Sequence, residues 1–300
     1  MRKLTILLLL LIVQSGIALN TIAQSDSTTF ADAAWTTTQV KDGLKLRSHH
    51  FIGNLFNSNQ FISILEIDPT LIKLDVVADT VLTKTSDLSE ENNALAAVNG
   101  SFFDLHSKGL PYNSVVYMKI DGKTLSNNKQ KSDKRGFHQQ GALVILYDKV
   151  FILESDNTSD WESYIYGEDI LTSGPLLKID GKLKSLAKNA FNSNRHPRTI
   201  VATASPNLVY LIVIDGRSSK AAGMSLPEVQ QIINWLGAKN ALNMDGGGSS
   251  AMVLQGATTS NSVVSHPSDN NQFDNKGQRK VANAIICSEI PQYYKSIIKQ

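Results

Sequence analysis

The sequence predicts an α+β fold: a mixed, mostly β-sheet core with a few packed helices in a single compact domain. Three observations carry that expectation. Short apolar runs with two-residue alternation recur from Phe61 to Ile214. The segments Lys119-Ile120-Asp121-Gly122-Lys123 and Lys178-Ile179-Asp180-Gly181-Lys182 repeat one hairpin signal, because both central positions of a type I′ turn need positive φ. A helical period with both ends clearly marked begins at Ser225.

Taken in order, Arg2 and Lys3 precede the apolar run Leu4–Val13, and small and polar residues then lead to Thr21-Ile22-Ala23. This reads as a secretory signal peptide, residues 1–23, cleaved near Ala23. The apolar run is too short to span a bilayer and no second candidate follows it, so no membrane span is expected. Secretion, or release into the periplasm, is the implied location. Residues 24–38 are rich in Ser, Thr and Ala and read as a flexible lead-in around Trp35. The domain proper is expected over 39–300.

Strands are expected at Phe61–Ile67, Leu71–Val77, Val115–Ile120, Ala142–Tyr147, Val150–Leu153, Leu176–Ile179, Thr199–Ala204 and Leu208–Ile214. Buried strands are also expected at Ala94–Val98 and Asn240–Met244. A short helix is expected from Ser86 to about Asn93. In the clear helix, Ser225-Leu226-Pro227-Glu228 forms a capping box with Pro in the first turn. Leu226, Val229, Ile232, Ile233 and Leu236 then share one face, and Gly237 ends it. No Pro-, Gly- or Ser-rich linker divides the chain.

The 300 residues carry a formal net charge of +2, with 42% hydrophobic and 19% charged residues. Nucleic acid has no electrostatic footprint here, the short Lys129–Arg135 stretch reading as a solvated loop. The single Cys287 lies in an apolar segment and reads as a buried thiol.

Chemistry-bearing residues recur directly beside apolar strands. Foremost is Asn243-Met244-Asp245-Gly246-Gly247-Gly248-Ser249-Ser250. Three consecutive glycines are tolerated where the chain needs unusual dihedrals or close approach. A tight loop without chemistry reads equally well. Asn99-Gly100-Ser101-Phe102-Phe103-Asp104 offers an amide, a carboxylate and an aromatic wall, or an Asx-type turn with two core rings. Thr172-Ser173-Gly174-Pro175 is a turn with a free hydroxyl. Arg195-His196-Pro197-Arg198-Thr199 sets cations before a buried strand, suited to a phosphate or carboxylate or to a structural Arg–Asp pair. Asp215-Gly216-Arg217 follows the strand ending at Ile214.

These segments, in this order, resemble the phosphodiester glycosidase family over roughly Leu71 to Ser288, most specifically at Asp-Gly-Gly-Gly-Ser. Arg279–Ala284 looks like the family's last core strand. The resemblance implies a compact bacterial secreted enzyme that breaks the bond between an anomeric carbon and a phosphate oxygen. Its partner would be a small molecule or glycan carrying a sugar-1-phosphodiester, such as a GlcNAc-1-phosphodiester, with no cofactor and no metal. An oxocarbenium-like transition state wants a carboxylate as nucleophile or base. The phosphate monoester leaves as a stable anion, so groups that hold its charge matter more than a general acid.

On that reading Asp245 is the principal catalytic carboxylate and Asp215 the second, with Arg198 clamping the phosphate and Arg217 or His196 assisting. The amides of Gly246, Gly247 and Gly248 and the Ser249 hydroxyl would cradle an oxyanion. Asn99 and Asn243 would bond sugar hydroxyls or phosphate, and Phe102 or Phe103 would shape the wall. Gly100, Asp104, Ser173, Gly174, Thr199 and Gly216 complete the expected site. Two rivals remain: metal-assisted phosphodiester cleavage held by Asp215 and Asp245, and a glycan-binding module without turnover.

Overall fold

The computed structural model describes residues 26–106, 111–129, 136–156 and 158–290. The expected signal segment and most of the Lys129–Arg135 stretch lie outside the described residues. What is described is a mostly sheet α+β fold. The largest sheet runs, edge to edge, through Thr36–Lys41, Leu44–Leu55, Ser58–Ile67, Leu208–Ile214, Arg198–Ser205, Asn240–Asn243, Leu176–Ile179 and Lys182–Leu183. A second sheet orders Lys123–Ser126, Met118–Ile120, Asp169–Ser173, Gly141–Leu146 and Lys149–Glu154. The third orders Met252–Leu254, Ala96–Asn99, Lys280–Glu289 and Ile72–Lys84. Pairings between these strands are antiparallel.

The continuous apolar runs of the large sheet follow from burial on both faces. Val201, Leu211, Val213 and Leu242 point into a core shared with Val76, Val98 and Ile285 of the third sheet and Leu143 and Leu171 of the second. Their neighbours Ile200, Ala202, Ile212 and Ile214 point the other way, onto Leu226, Val229, Ile232 and Ile233 of the helix Leu226–Trp235. Each of those helix residues is fully buried, worth about 1.5–3 kcal/mol apiece in removed apolar surface.

Local signals hold at that helix. The Ser225 hydroxyl accepts from Glu228 N–H, the Glu228 carboxylate accepts from Ser225 N–H, and Gly237 takes φ +70° just past the end. At the hairpins, Asp121-Gly122 and Asp180-Gly181 all have positive φ. The short helix spans Thr85–Glu91. The lead-in is packed rather than loose: 26–31 is helical, and Phe30 is buried against Trp35, Phe51 and Trp235. Cys287 is a buried free thiol, pushed up in pKa by that burial.

Candidate active site

The large and third sheets are stitched together at one end by the Asn99 amide. Asn99 Nδ2 donates to the Asp245 carbonyl at 2.7 Å, and Asn99 Oδ1 accepts from Thr199 Oγ1 at 2.7 Å and from the Ala251 amide at 3.1 Å. Asp245 N–H donates to Gly100 O and Met244 N–H to Thr199 O. Asn99, Gly100 and Thr199 are therefore buried beneath the turn that carries Asp245, and they fix its backbone rather than face a ligand. Asn243 does similar work: its Nδ2 bonds Gly174 O and Met244 O, while Ser173 Oγ donates to Asn243 O. Gly174 precedes Pro175 through a cis peptide bond.

Above this bed lies Asp245. The residue is half-buried, so its carboxyl is crowded by the turn while still reaching the surface. Loss of hydration raises its pKa to about 6, against the lowering effects of Ser249, Arg279, the Gly246 amide and Arg217. Ser249 Oγ is buried beside the carboxylate and lowers its pKa, although no partner meets full hydrogen-bond geometry with it among the described residues. The glycines are there for close approach. Gly247 has φ +62°, and a Cβ on it would lie 2.8 Å from Arg217 Nη2. A Cβ on Gly248 would lie 2.5 Å from Arg279 Nη2 and would also strike the Asp269 carboxylate. The expected amide cradle is reduced, because Gly247 N–H is already given to Pro197 O at 2.9 Å.

Arg198 corrects the sequence reading. It is 1% exposed; its Nε donates to Met224 O, its Nη2 donates to Phe191 O and Asn194 O, and its guanidinium lies over the Phe191 ring. Burial lowers its pKa to about 10. It is a strut for the short helix Ala190–Ser193 and the Asn194 that caps it, not a phosphate clamp. The cations that face the Asp245 turn are Arg217, exposed and with no ion pair among the described residues, and Arg279, paired to Asp269 at 2.5 Å. His196 lies beside them, its pKa lowered by burial and by Arg198 and Arg217. Gly216 links Arg217 to Asp215, packed on Pro197.

Asp215 is 2% exposed. Its Oδ2 accepts the His266 amide at 3.0 Å and lies 2.7 Å from His266 Nδ1. Desolvation raises its pKa; His266 opposes that shift. On the far side, Phe102 meets Phe137 and Phe191 as an aromatic wall, whereas Phe103 packs on Leu88, Val281 and Ala284. Asp104 is turned toward the His106 amide and Lys129, so it sits apart from Asp245 in its bonding.

His266, Asp269 and Arg279 belong to this cluster and were not singled out as site residues from the sequence. The dipeptide His266-Pro267 repeats His196-Pro197 and was a usable signal; Arg279 was visible only as the start of a strand. Among the described residues no group of three or more His, Cys, Asp or Glu side chains is placed to hold a metal ion. Two cavities, about 400 Å³ beside Lys73 and Asp169 and about 420 Å³ beside Ser86 and Asn261, lie elsewhere. No helix of the described residues is long and apolar enough to cross a membrane.

A family model described as phosphodiester glycosidase matches residues 92–288. Among solved structures, the fold is similar to the zebrafish N-acetylglucosamine-1-phosphodiester alpha-N-acetylglucosaminidase catalytic domain auto-inhibited by its pro-peptide. That match has a TM-score of 0.62 and 18% identity, covering 85% of this chain and 88% of that one. A hypothetical protein from Synechocystis matches with a TM-score of 0.61 and 16% identity, covering 86% of this chain. The present chain spans 64% of the Synechocystis protein. At such identities these likenesses establish the fold alone. No curated protein matches. The family model covers well over half of the chain, and its span contains the whole Asp245 cluster; the chain belongs to the phosphodiester glycosidase family.

Proposed function

We propose that this protein is a secreted or periplasmic hydrolase that cleaves the glycosidic bond of a sugar-1-phosphodiester, of which a GlcNAc-1-phosphodiester is the type. The observation that carries this reading is the half-buried Asp245 carboxyl on a glycine turn against which the Arg217 and Arg279 guanidinium groups pack. A carboxylate alone would suit many sites. One flanked by Arg217 and Arg279 can meet an anomeric carbon while the departing phosphate is held by fixed positive charge.

With a pKa of about 6, Asp245 is ionised at neutral pH yet remains a competent base or nucleophile. The leaving phosphate needs no proton, so both arginines serve the transition state without a dedicated acid. Asn99, Thr199 and Asn243 contribute by fixing the backbone that carries the carboxylate. The Phe102, Phe137 and Phe191 rings offer an apolar wall to one face of the sugar.

The test is product analysis by mass spectrometry on a panel of sugar-1-phosphodiesters, with and without EDTA. Free sugar plus a phosphate monoester, formed in EDTA and lost in Asp245→Asn, supports the reading. Sugar 1-phosphate as product, with loss in EDTA, would favour metal-assisted cleavage at phosphorus instead. Substrate recovered intact and bound would favour a glycan-binding module.

A further inference from the structure

His266 is held in a way the reading above does not require. Its Nδ1 lies 2.7 Å from Asp215 Oδ2, and its own amide donates to the same oxygen at 3.0 Å. Phe273 stacks on the ring at 3.8 Å with a 10° tilt, and Phe61 stands perpendicular at 4.6 Å. The carboxylate is 1% exposed at its side chain and the imidazole 17%. Phe273 covers one face and Asp215 takes Nδ1, while Nε2 has no hydrogen-bond partner among the described residues.

Asp215 leads in two residues to Arg217, whose guanidinium abuts Gly247. Three residues beyond His266, Asp269 abuts Gly248 and pairs with Arg279. Short stretches of chain thus join the Asp215–His266 pair to both guanidinium groups at the Asp245 turn, Arg217 on one side and, through Asp269, Arg279 on the other. When Asp215 is ionised it accepts from Nδ1–H, and Nε2 of the neutral ring then keeps its lone pair.

Resting on the proposed activity, we infer that His266 is a catalytic base whose Nε2 takes the proton of the attacking water, with Asp215 the positioning residue that sets its tautomer. Water gives one proton to Nε2 while its oxygen bonds to the anomeric carbon. The bond from that carbon to its leaving oxygen breaks, and the electron pair stays on that oxygen. The imidazolium then returns the proton to solvent. Asp245 is thereby left free to face the anomeric carbon throughout.

The test assays wild type, His266→Ala, Asp215→Asn and Asp245→Asn on the same diester, with circular dichroism as the check of folding. Expected is a fall in kcat of about 10²–10⁴-fold for His266→Ala, with KM within about threefold and partial rescue by added imidazole. Asp215→Asn should lower kcat without imidazole rescue. Nitrogen-15 shifts of the histidine ring should report Nδ1–H in wild type and a move toward Nε2–H in Asp215→Asn. A His266→Ala enzyme within about threefold of wild type, or a wild-type ring protonated at Nε2, overturns the assignment. A silent His266→Ala beside a dead Asp245→Asn sinks the base alone, whereas a silent Asp245→Asn sinks the reading of the site.

Discussion

Arg198 and Arg217 show how little residue type says about role. Both follow or begin strands of the large sheet, and both looked fit for a phosphate. Alternation along the strand decides between them: Thr199 points to Asn99, so Arg198 points to the opposite face, where it meets the carbonyls of Met224, Phe191 and Asn194. Arg198→Ala would take the guanidinium donor from the Phe191 and Asn194 carbonyls and leave Met224 O with the His196 amide alone, which predicts a loss of about 2 kcal/mol or more. Arg217→Ala removes an exposed cation and should leave stability within about 0.5 kcal/mol. On the proposed activity it should lower kcat/KM at least about tenfold. Paired thermal melts and kinetics check both. An Arg198→Ala protein with wild-type melting, or an Arg217→Ala protein that is destabilised with unchanged kinetics, would reverse the assignment.

At the scale of elements, what could be read from the sequence was what is local. The capping box at Ser225, the C-terminal Gly237 and both Asp-Gly hairpins are settled by contacts within a few residues, and each stands where the sequence put it. The strand Leu44–Leu55 was not legible, because its burial alternates only over its first four residues and its middle carries two His and an Arg. Met252–Leu254 is three residues long and exists by pairing with Ala96–Val98. The site divides the same way. The Asp245 turn was legible from its glycines, but the partners those glycines admit, Arg279 and Asp269, lie far along the chain. That yields a test of the turn. In Gly248→Ala the added methyl meets the Arg279 guanidinium and the Asp269 carboxylate, so that ion pair must shift. Activity should fall at least about tenfold, while the loss of stability should stay near 1 kcal/mol because the pair is partly exposed. Wild-type kcat/KM in that variant would show that the approach of Arg279 to the turn has no functional weight.

Across the whole molecule, the fold encloses several carboxyls, and enclosure has a sign. Asp245 and Asp169 are each raised to about 6 by desolvation, and Asp215 is raised for the same reason. Between the ordinary carboxylate pKa, 3.8 for these residues, and about 6, the folded chain holds protons that the unfolded chain has released. Through these groups stability falls as pH rises across that window, the reverse of an Asp stabilised by a salt bridge. Asp169 has a compensation, since its two oxygens accept the Val76 and Asp121 amides and tie the second sheet to the third. On the proposed activity, Asp245 uses its position for chemistry instead. Asp245→Asn removes a charge that the fold accommodates poorly, so the inactive variant should be the more stable protein at neutral pH, by about 1–3 kcal/mol. The gain should be smallest near pH 4, where the folded carboxyl is protonated and the unfolded one is about half so, grow through pH 6, and level off above pH 7. Urea unfolding of both proteins at half-unit steps from pH 4 to pH 8 measures it. A stability difference that is constant across that range would mean the Asp245 carboxyl is not desolvated, and with it would go the reason for placing an unusually basic carboxylate at the centre of the site.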